Sequence, residues 1–182
     1  VLDRGAQSGR GGGYEARIVD DRMQKQPPNT PGRLAVRGPT GCRYLGDDRQ
    51  RDYVQAGWNI TGDTFRRDED GVFHFLARSD DMILSAGYTI AGPEVEAALL
   101  AHPAELECAV VGAPDEARGQ IVGAFVGPAA GQRPGPGLAA AWQDHAKTTI
   151  APYKYPRRVN FVSSLPKTGT GKIQRFRLRG EE

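Results

Sequence analysis

The chain has 182 residues, with 24 Lys and Arg against 22 Asp and Glu, a net charge of +2, and 38% hydrophobic residues. That balance is ordinary for a folded domain and offers no electrostatic footprint for a nucleic-acid or membrane partner. No apolar run approaches the roughly 18 residues of a membrane span. The first residues, Val1-Leu2-Asp3-Arg4-Gly5, lack the charged-then-apolar pattern of a secretory signal, so a cytoplasmic location is expected.

Residues 1–13 are Gly-rich and weakly patterned. Residues 14–19 alternate and predict a strand. Pro27, Pro28, Asn29 and Pro31 make 20–32 a turn-rich connection. Residues 33–37 form a second alternating strand, and 47–56 predict a short helix stopped by Gly57. Two β-prone runs, 64–67 and 72–76, flank Asp68-Glu69-Asp70-Gly71 and predict a hairpin. Residues 77–92 read as a polar, Gly-containing crossing.

Pro93 opens a helix at its permissive first position, with Glu94 and Glu96 favouring the positive end of the helix dipole. Val95, Ala98 and Leu99 supply its apolar stripe. Residues 107–111 and 120–126 predict buried strands, 127–137 a Pro/Gly loop and 138–148 a helix. A third strand at 158–162 precedes a loop and short basic helix over 165–179. The order predicts an α+β chain of two units. Residues 1–76 form a small antiparallel β subdomain, and 77–182 an α+β domain whose short sheet is covered by helices.

Cys42 and Cys108 stand alone, as do His74, His102 and His145. Neither a disulfide framework nor a zinc knuckle can be built from them, and no metal site is expected. Gly169-Thr170-Gly171-Lys172 is not a Walker loop, because Pro166 and Ile173 occupy positions that need Gly and Ser or Thr. Ser85 is not a nucleophile elbow, because Ile83 stands where Gly is required.

Four clusters carry possible chemistry. In Thr61-Gly62-Asp63, a carboxylate after a Gly can accept hydrogen bonds from a ribose diol; an ordinary turn Asp reads the same way. Arg78-Ser79-Asp80-Asp81 joins the two units, either as a planar donor beside an acidic pivot or as a solvated charged linker. Ser85-Ala86-Gly87-Tyr88 is a small-residue segment that a ligand could approach closely. Pro166-Lys167-Thr168-Gly169-Thr170-Gly171-Lys172 is a Gly-bearing loop able to swing a lysine toward developing negative charge.

In this order and spacing, with Pro93-Glu94-Val95-Glu96 and Ala151-Pro152-Tyr153-Lys154-Tyr155-Pro156, the clusters resemble the adenylate-forming enzymes. These include acyl-CoA synthetases, luciferase and peptide-synthetase adenylation domains. The segments 87–96, 114–120 and 151–156 are most similar to the benzoate and 2-aminobenzoate CoA ligase branch. The resemblance implies the C-terminal portion of an ATP-dependent, AMP-forming ligase. Residues 1–76 would end the large adenylating domain, and 77–182 would be the mobile C-terminal domain.

Such an enzyme joins a carboxylic acid to ATP as an acyl-adenylate, and the thiol of CoA then displaces AMP. By the same resemblance, Asp63 and Arg78 would hold the ribose of ATP and Asp80 would be the hinge. Lys172 would bridge carboxylate and phosphate. Ser85 and Gly87 would line the pantetheine channel, with Tyr153, Lys154 and Arg157 at the CoA nucleotide. ATP and Mg would belong to the full-length enzyme, CoA would be a co-substrate, and no tightly bound cofactor is expected on this chain. Ala77 and Thr89 depart from the family pattern, which commonly has Gly and a basic residue there. The phosphate loop and acyl pocket would precede Val1 in a missing N-terminal domain, so the isolated chain is expected to be inactive. The alternatives are a fatty-acyl-CoA synthetase or carrier-loading adenylation enzyme, and a non-catalytic binding module using the basic tail of Lys167, Lys172, Arg175, Arg177 and Arg179.

Overall fold

A computed structural model of the chain describes residues 13–39, 48–102, 106–128 and 131–179. The Gly-rich start, Cys42 and the first position of the expected helix at 47 lie outside them. The fold is α+β, in two compact units, Val1–Asp80 and Asp81–Glu182. The division falls beyond the 76/77 boundary read from the sequence, because the last strand of the first unit continues through Arg78 in register with Asp63.

The first unit contains β1 (Glu15–Val19), β2 (Gly32–Arg37), α1 (Arg49–Tyr53), β3 (Val54–Gln55), β4 (Trp58–Arg67) and β5 (Phe73–Arg78). Its antiparallel sheet runs β1-β2-β4-β3, with β5 also on β4. Alternation sends neighbouring residues to opposite faces. Ile18, Leu34, Phe65 and Phe73 cluster on one face, and Val19, Ala35, Trp58 and Ile60 on the other. The Arg17 and Arg37 guanidiniums lie 3.9 and 4.7 Å from the centre of the Trp58 ring. They cover the indole that would otherwise face water.

The expected hairpin turn is present and is organised by one side chain. Asp68 Oδ1 accepts from Val72 N–H at 2.8 Å, and Asp68 Oδ2 lies 2.6 Å from His74 Nε2. The hydrogen bond with His74 holds the Asp68 carboxyl below its ordinary range.

The second unit contains β6 (Met82–Ser85), β7 (Tyr88–Ala91), α2 (Gly92–Leu100), β8 (Leu106–Asp115), β9 (Gly119–Pro128), α3 (Pro136–Thr149), β10 (Arg158–Phe161) and α4 (Arg175–Leu178). Its sheet runs β10-β9-β6-β7, with β8 also on β9. The β8–β9 hairpin is antiparallel, and β10 joins β9 in parallel.

The polar crossing expected over 77–92 is instead the end of β5, a 3-10 turn (Ser79–Asp81) and the β6–β7 hairpin. Ile83 and Ile90 pair across it and are buried. Ala86 and Gly87 both have positive φ, +48° and +83°. A two-residue hairpin turn needs that conformation, and alanine in the first position hides the signal.

Two layers cover the second sheet. Val95 and Leu99 of α2 and Trp142 and Ala146 of α3 pack on Ile83, Ile90, Val110, Val122 and Val126. On the opposite face, Leu165 and Leu178 pack on Ala109, Val111 and Phe125, with Ile173 beside them. Period-2 burial along β8 and β9 supplies both faces.

Candidate functional site

In the first unit the site is built on a break in β4. The β2–β4 register shifts between Arg33 and Ala35, opposite Thr64 and Ile60. Gly62 sits in that break at φ +76°. The irregularity places Asp63 opposite Arg78 of β5, with Arg78 Nη1 3.2 Å from Asp63 Oδ1. The Asp63 side chain is 30% exposed and that of Arg78 56%, so carboxylate and guanidinium meet at the surface. Thr61 Oγ1 accepts from Asp63 N–H at 3.3 Å and donates to Leu34 O at 3.3 Å, holding the loop of β4. An acceptor and a planar donor side by side can take a vicinal diol.

Asp80 is exposed in the 3-10 turn, its Oδ1 3.7 Å from Arg78 Nε. Its neighbour Asp81 turns elsewhere and pairs with Arg179. The two acids, read together as one pivot, thus have separate partners, each within its own unit.

Lys172 stands at the end of a closed turn rather than a loose loop. Thr168 N–H donates to Lys172 O at 2.8 Å, Gly171 N–H to Thr168 O at 2.9 Å and Lys172 N–H to Thr168 Oγ1 at 3.1 Å. Lys167 and Ile173 bridge its base. The Lys172 side chain is exposed.

The residues expected around CoA fall into three places. Ser85 is buried and receives a 3.3 Å hydrogen bond from Arg118 Nε, so its side chain lines no open surface. Gly87 is exposed at the hairpin tip. Tyr153 stacks on Tyr88 with ring centres 4.4 Å apart, and Lys154 Nζ is held 2.6 and 2.8 Å from the Glu94 carboxylate oxygens. Arg157 belongs to another group: its Nη1 donates to Tyr155 Oη at 2.9 Å, and the Arg157 guanidinium and Lys147 Nζ each lie 4.8 Å from the Tyr155 ring centre. The hydrogen bond to Asp144 pushes the Lys147 pKa up, so the ring is flanked by two fixed cations.

Sequence reading did not single out Lys147 and Tyr155, because nothing in their spacing links the last turn of α3 to the segment before β10. It also missed Glu96 and Arg175. Glu96, expected to face the helix dipole, is buried and bonded to Arg175. The basic tail is likewise largely spent inside the unit. Arg175 pairs with Glu96, Arg179 with Asp81 and Lys167 with Glu107, which leaves little free charge for a polyanion. Among the described residues no group of three His, Cys, Asp or Glu side chains could hold a metal ion. No described helix is long and apolar enough to cross a membrane.

Residues 94–172 match the AMP-binding enzyme C-terminal domain. The chain is 46% identical over 178 residues to the human mitochondrial acyl-coenzyme A synthetase ACSM5, covering 93% of this chain and 31% of that protein. The structure of the anthranilate CoA ligase AuaEII in complex with anthranoyl-AMP is similar over 98% of this chain and 35% of that one, with a TM-score of 0.80 and 38% identity. A benzoate CoA ligase from Burkholderia xenovorans LB400 is similar over 98% of this chain and 36% of that one, with a TM-score of 0.78 and 35% identity. The chain spans about a third of the length of the curated relatives it matches. It carries the AMP-binding enzyme C-terminal domain, and its homologues are acyl-CoA synthetases.

Proposed function

We propose that the chain supplies the ribose contacts, hinge and lysine of an ATP-dependent, AMP-forming ligase that joins an aromatic carboxylic acid to CoA. In the first half-reaction a carboxylate oxygen attacks the α-phosphorus of ATP, pyrophosphate leaves and an acyl-adenylate forms. In the second, the CoA sulfur attacks the acyl carbon and AMP departs with the bonding pair.

Asp63 accepts from the ribose hydroxyls, and Arg78 both donates to them and holds the Asp63 carboxylate in place. Lys172 brings a compact positive charge to the carboxylate and phosphate as charge shifts between them. Asp80 is the pivot at the junction of the two units. Tyr155 with Lys147 and Arg157, and the Tyr88–Tyr153 stack beside Gly87, offer ring faces and cations to the nucleotide of CoA.

The observation that carries this reading is the Asp63–Arg78 pair, set side by side by the break in β4. The likeness to anthranilate and benzoate ligases supports the aromatic acid. A wider acyl range is the second reading, favoured by the identity to human acyl-coenzyme A synthetase ACSM5. ATP–pyrophosphate exchange by the full-length ligase, with benzoate, 2-aminobenzoate and fatty acids in parallel, tests both. Faster exchange with the aromatic acids is expected. Preference for fatty acids sinks the aromatic assignment, and no exchange with any acid sinks the ligase reading.

A further inference from the structure

Glu96 is 9% exposed, and a carboxylate so far from water is costly unless every oxygen is paired. Here both are. Oε1 accepts from Val110 N–H at 2.8 Å and from Arg175 Nε and Nη2 at 3.1 and 2.9 Å. Oε2 accepts from Arg175 Nη2 at 2.8 Å. The contact fixes both the distance and the plane of the guanidinium.

The three residues of this contact come from different elements. Glu96 is in the middle of α2, Val110 is inside β8, and Arg175 opens α4. One carboxylate therefore ties the α2–β8 core to a residue three positions after Lys172. The intervening chain is held as well, with Ile173 packed beside Ala109 and Val111 and Gln174 N–H donating to Pro166 O at 2.8 Å. Lys172 alone in this stretch projects an exposed charged side chain from a base fixed to the core. Where that base stands decides where the ammonium can reach.

We infer that the Glu96–Arg175 pair is a positioning device for Lys172, setting the origin from which the lysine reaches the reacting carboxylate and phosphate. It rests on the adenylation role proposed for Lys172. Neither Glu96 nor Arg175 touches substrate. A pair that only stabilises the fold affects every reaction of the enzyme alike, whereas a pair that aims Lys172 affects the lysine-dependent half-reaction.

The test uses the full-length ligase carrying Glu96→Gln, Arg175→Lys, Arg175→Ala or Lys172→Ala. Glutamine at 96 keeps an acceptor for Val110 N–H while removing the charge, and Tm reports whether the fold is kept. The readouts are kcat and KM for adenylation, the rate of thioester formation from supplied acyl-adenylate, and Tm.

Misplacing a reacting group by about 1 Å can cost on the order of 100-fold. The adenylation kcat is therefore expected to fall roughly 10- to 100-fold in Glu96→Gln and Arg175→Ala, with KM for the acid and for ATP little changed. Thioester formation should stay within about twofold, and Arg175→Lys should recover part of the loss. If Lys172→Ala abolishes adenylation while Glu96→Gln leaves it intact, the positioning role is refuted and the lysine assignment stands. Equal losses in both half-reactions that track a lowered Tm also refute it. Undiminished adenylation in Lys172→Ala overturns the lysine assignment, and this inference with it.

Discussion

Arg78 lays its guanidinium over Gly62: a β-carbon added to Gly62 would stand 3.1 Å from Arg78 Nη2 and 3.5 Å from Arg78 Cζ, and Gly62 has φ +76°. Glycine is thus needed twice, for the left-handed backbone in the break of β4 and for the space beneath Arg78. Gly62→Ala should cost about 1–2 kcal/mol of stability from the backbone alone. It should also push the guanidinium off Asp63. In the full-length ligase the expected result is a KM for ATP raised roughly 10-fold, about 1.4 kcal/mol of binding, with a smaller change in the KM for CoA. An unchanged KM for ATP would separate Arg78 from the nucleotide.

Lys172→Ala removes a charge whose side chain, among the described residues, makes no ion pair within the chain. Its loss should leave the fold intact, with Tm within about a degree or two, since surface substitutions away from special features are nearly neutral. The adenylation half-reaction should drop by on the order of 100-fold or more, the scale of removing a group that stabilises developing charge. Thioester formation from supplied adenylate should be nearly unaffected. Equal losses in both half-reactions would take Lys172 out of its proposed role.

Motif order singles out Asp63, Arg78 and Lys172, and of these the structure brings Asp63 and Arg78 together; β1, β2, α2, α3 and the strands around Val110 and Val122 were legible from period and capping. The 77–92 segment was not, because Ala86 takes a positive φ that alanine rarely adopts, so the hairpin lacked its usual Asn-Gly or Gly mark. Ser85 illustrates a different failure. A small polar residue in a Gly-containing segment suggests a surface, but its period-2 placement with Ile83 turns it inward to Arg118. Glu96 and Tyr155 depend on contacts with residues far along the chain, Arg175 and Lys147, which local pattern cannot register.

The Asp68–His74 contact is expected to make the first unit sensitive to acid. The hydrogen bond with His74 lowers the Asp68 pKa from its ordinary 3.8. A carboxyl with a depressed folded pKa contributes stability above its unfolded value and loses that contribution as pH falls through the folded one. Melting of the chain from pH 6 to pH 3 should therefore show a steeper loss of Tm in the wild type than in Asp68→Asn, chiefly below pH 4. Parallel curves would mean that the pair is energetically silent.

Cys108 should be unreactive in the folded chain. It is 4% exposed, and burial, aided by the nearby Glu96 charge, pushes its pKa up to about 12. The thiolate is the nucleophile, so at pH 8 very little of it exists and none is accessible. A water-soluble disulfide reagent applied to a Cys42→Ser variant should label Cys108 only as fast as the second unit unfolds. Prompt labelling under native conditions would show that this core opens locally.

The CoA role proposed for the Tyr155 cluster concerns the second half-reaction. Lys147 and Arg157 each lie 4.8 Å from the ring centre, and Arg157 also donates to the phenol oxygen. Removing the ring should take away the contact that both cations share and the aromatic surface they border. Tyr155→Leu keeps most of the apolar packing against the α3 side of the core, where Tyr155 is partly buried, so Tm should change little. The KM for CoA is expected to rise on the order of 10-fold, consistent with about 1–2 kcal/mol from cation–ring and stacking contacts. ATP–pyrophosphate exchange, which needs no CoA, should stay within about twofold. Because Glu94 already engages Lys154, Lys154→Ala should raise the KM for CoA less than Tyr155→Leu does. If Lys154→Ala has the larger effect, the nucleotide of CoA is held beside the Tyr88–Tyr153 stack instead.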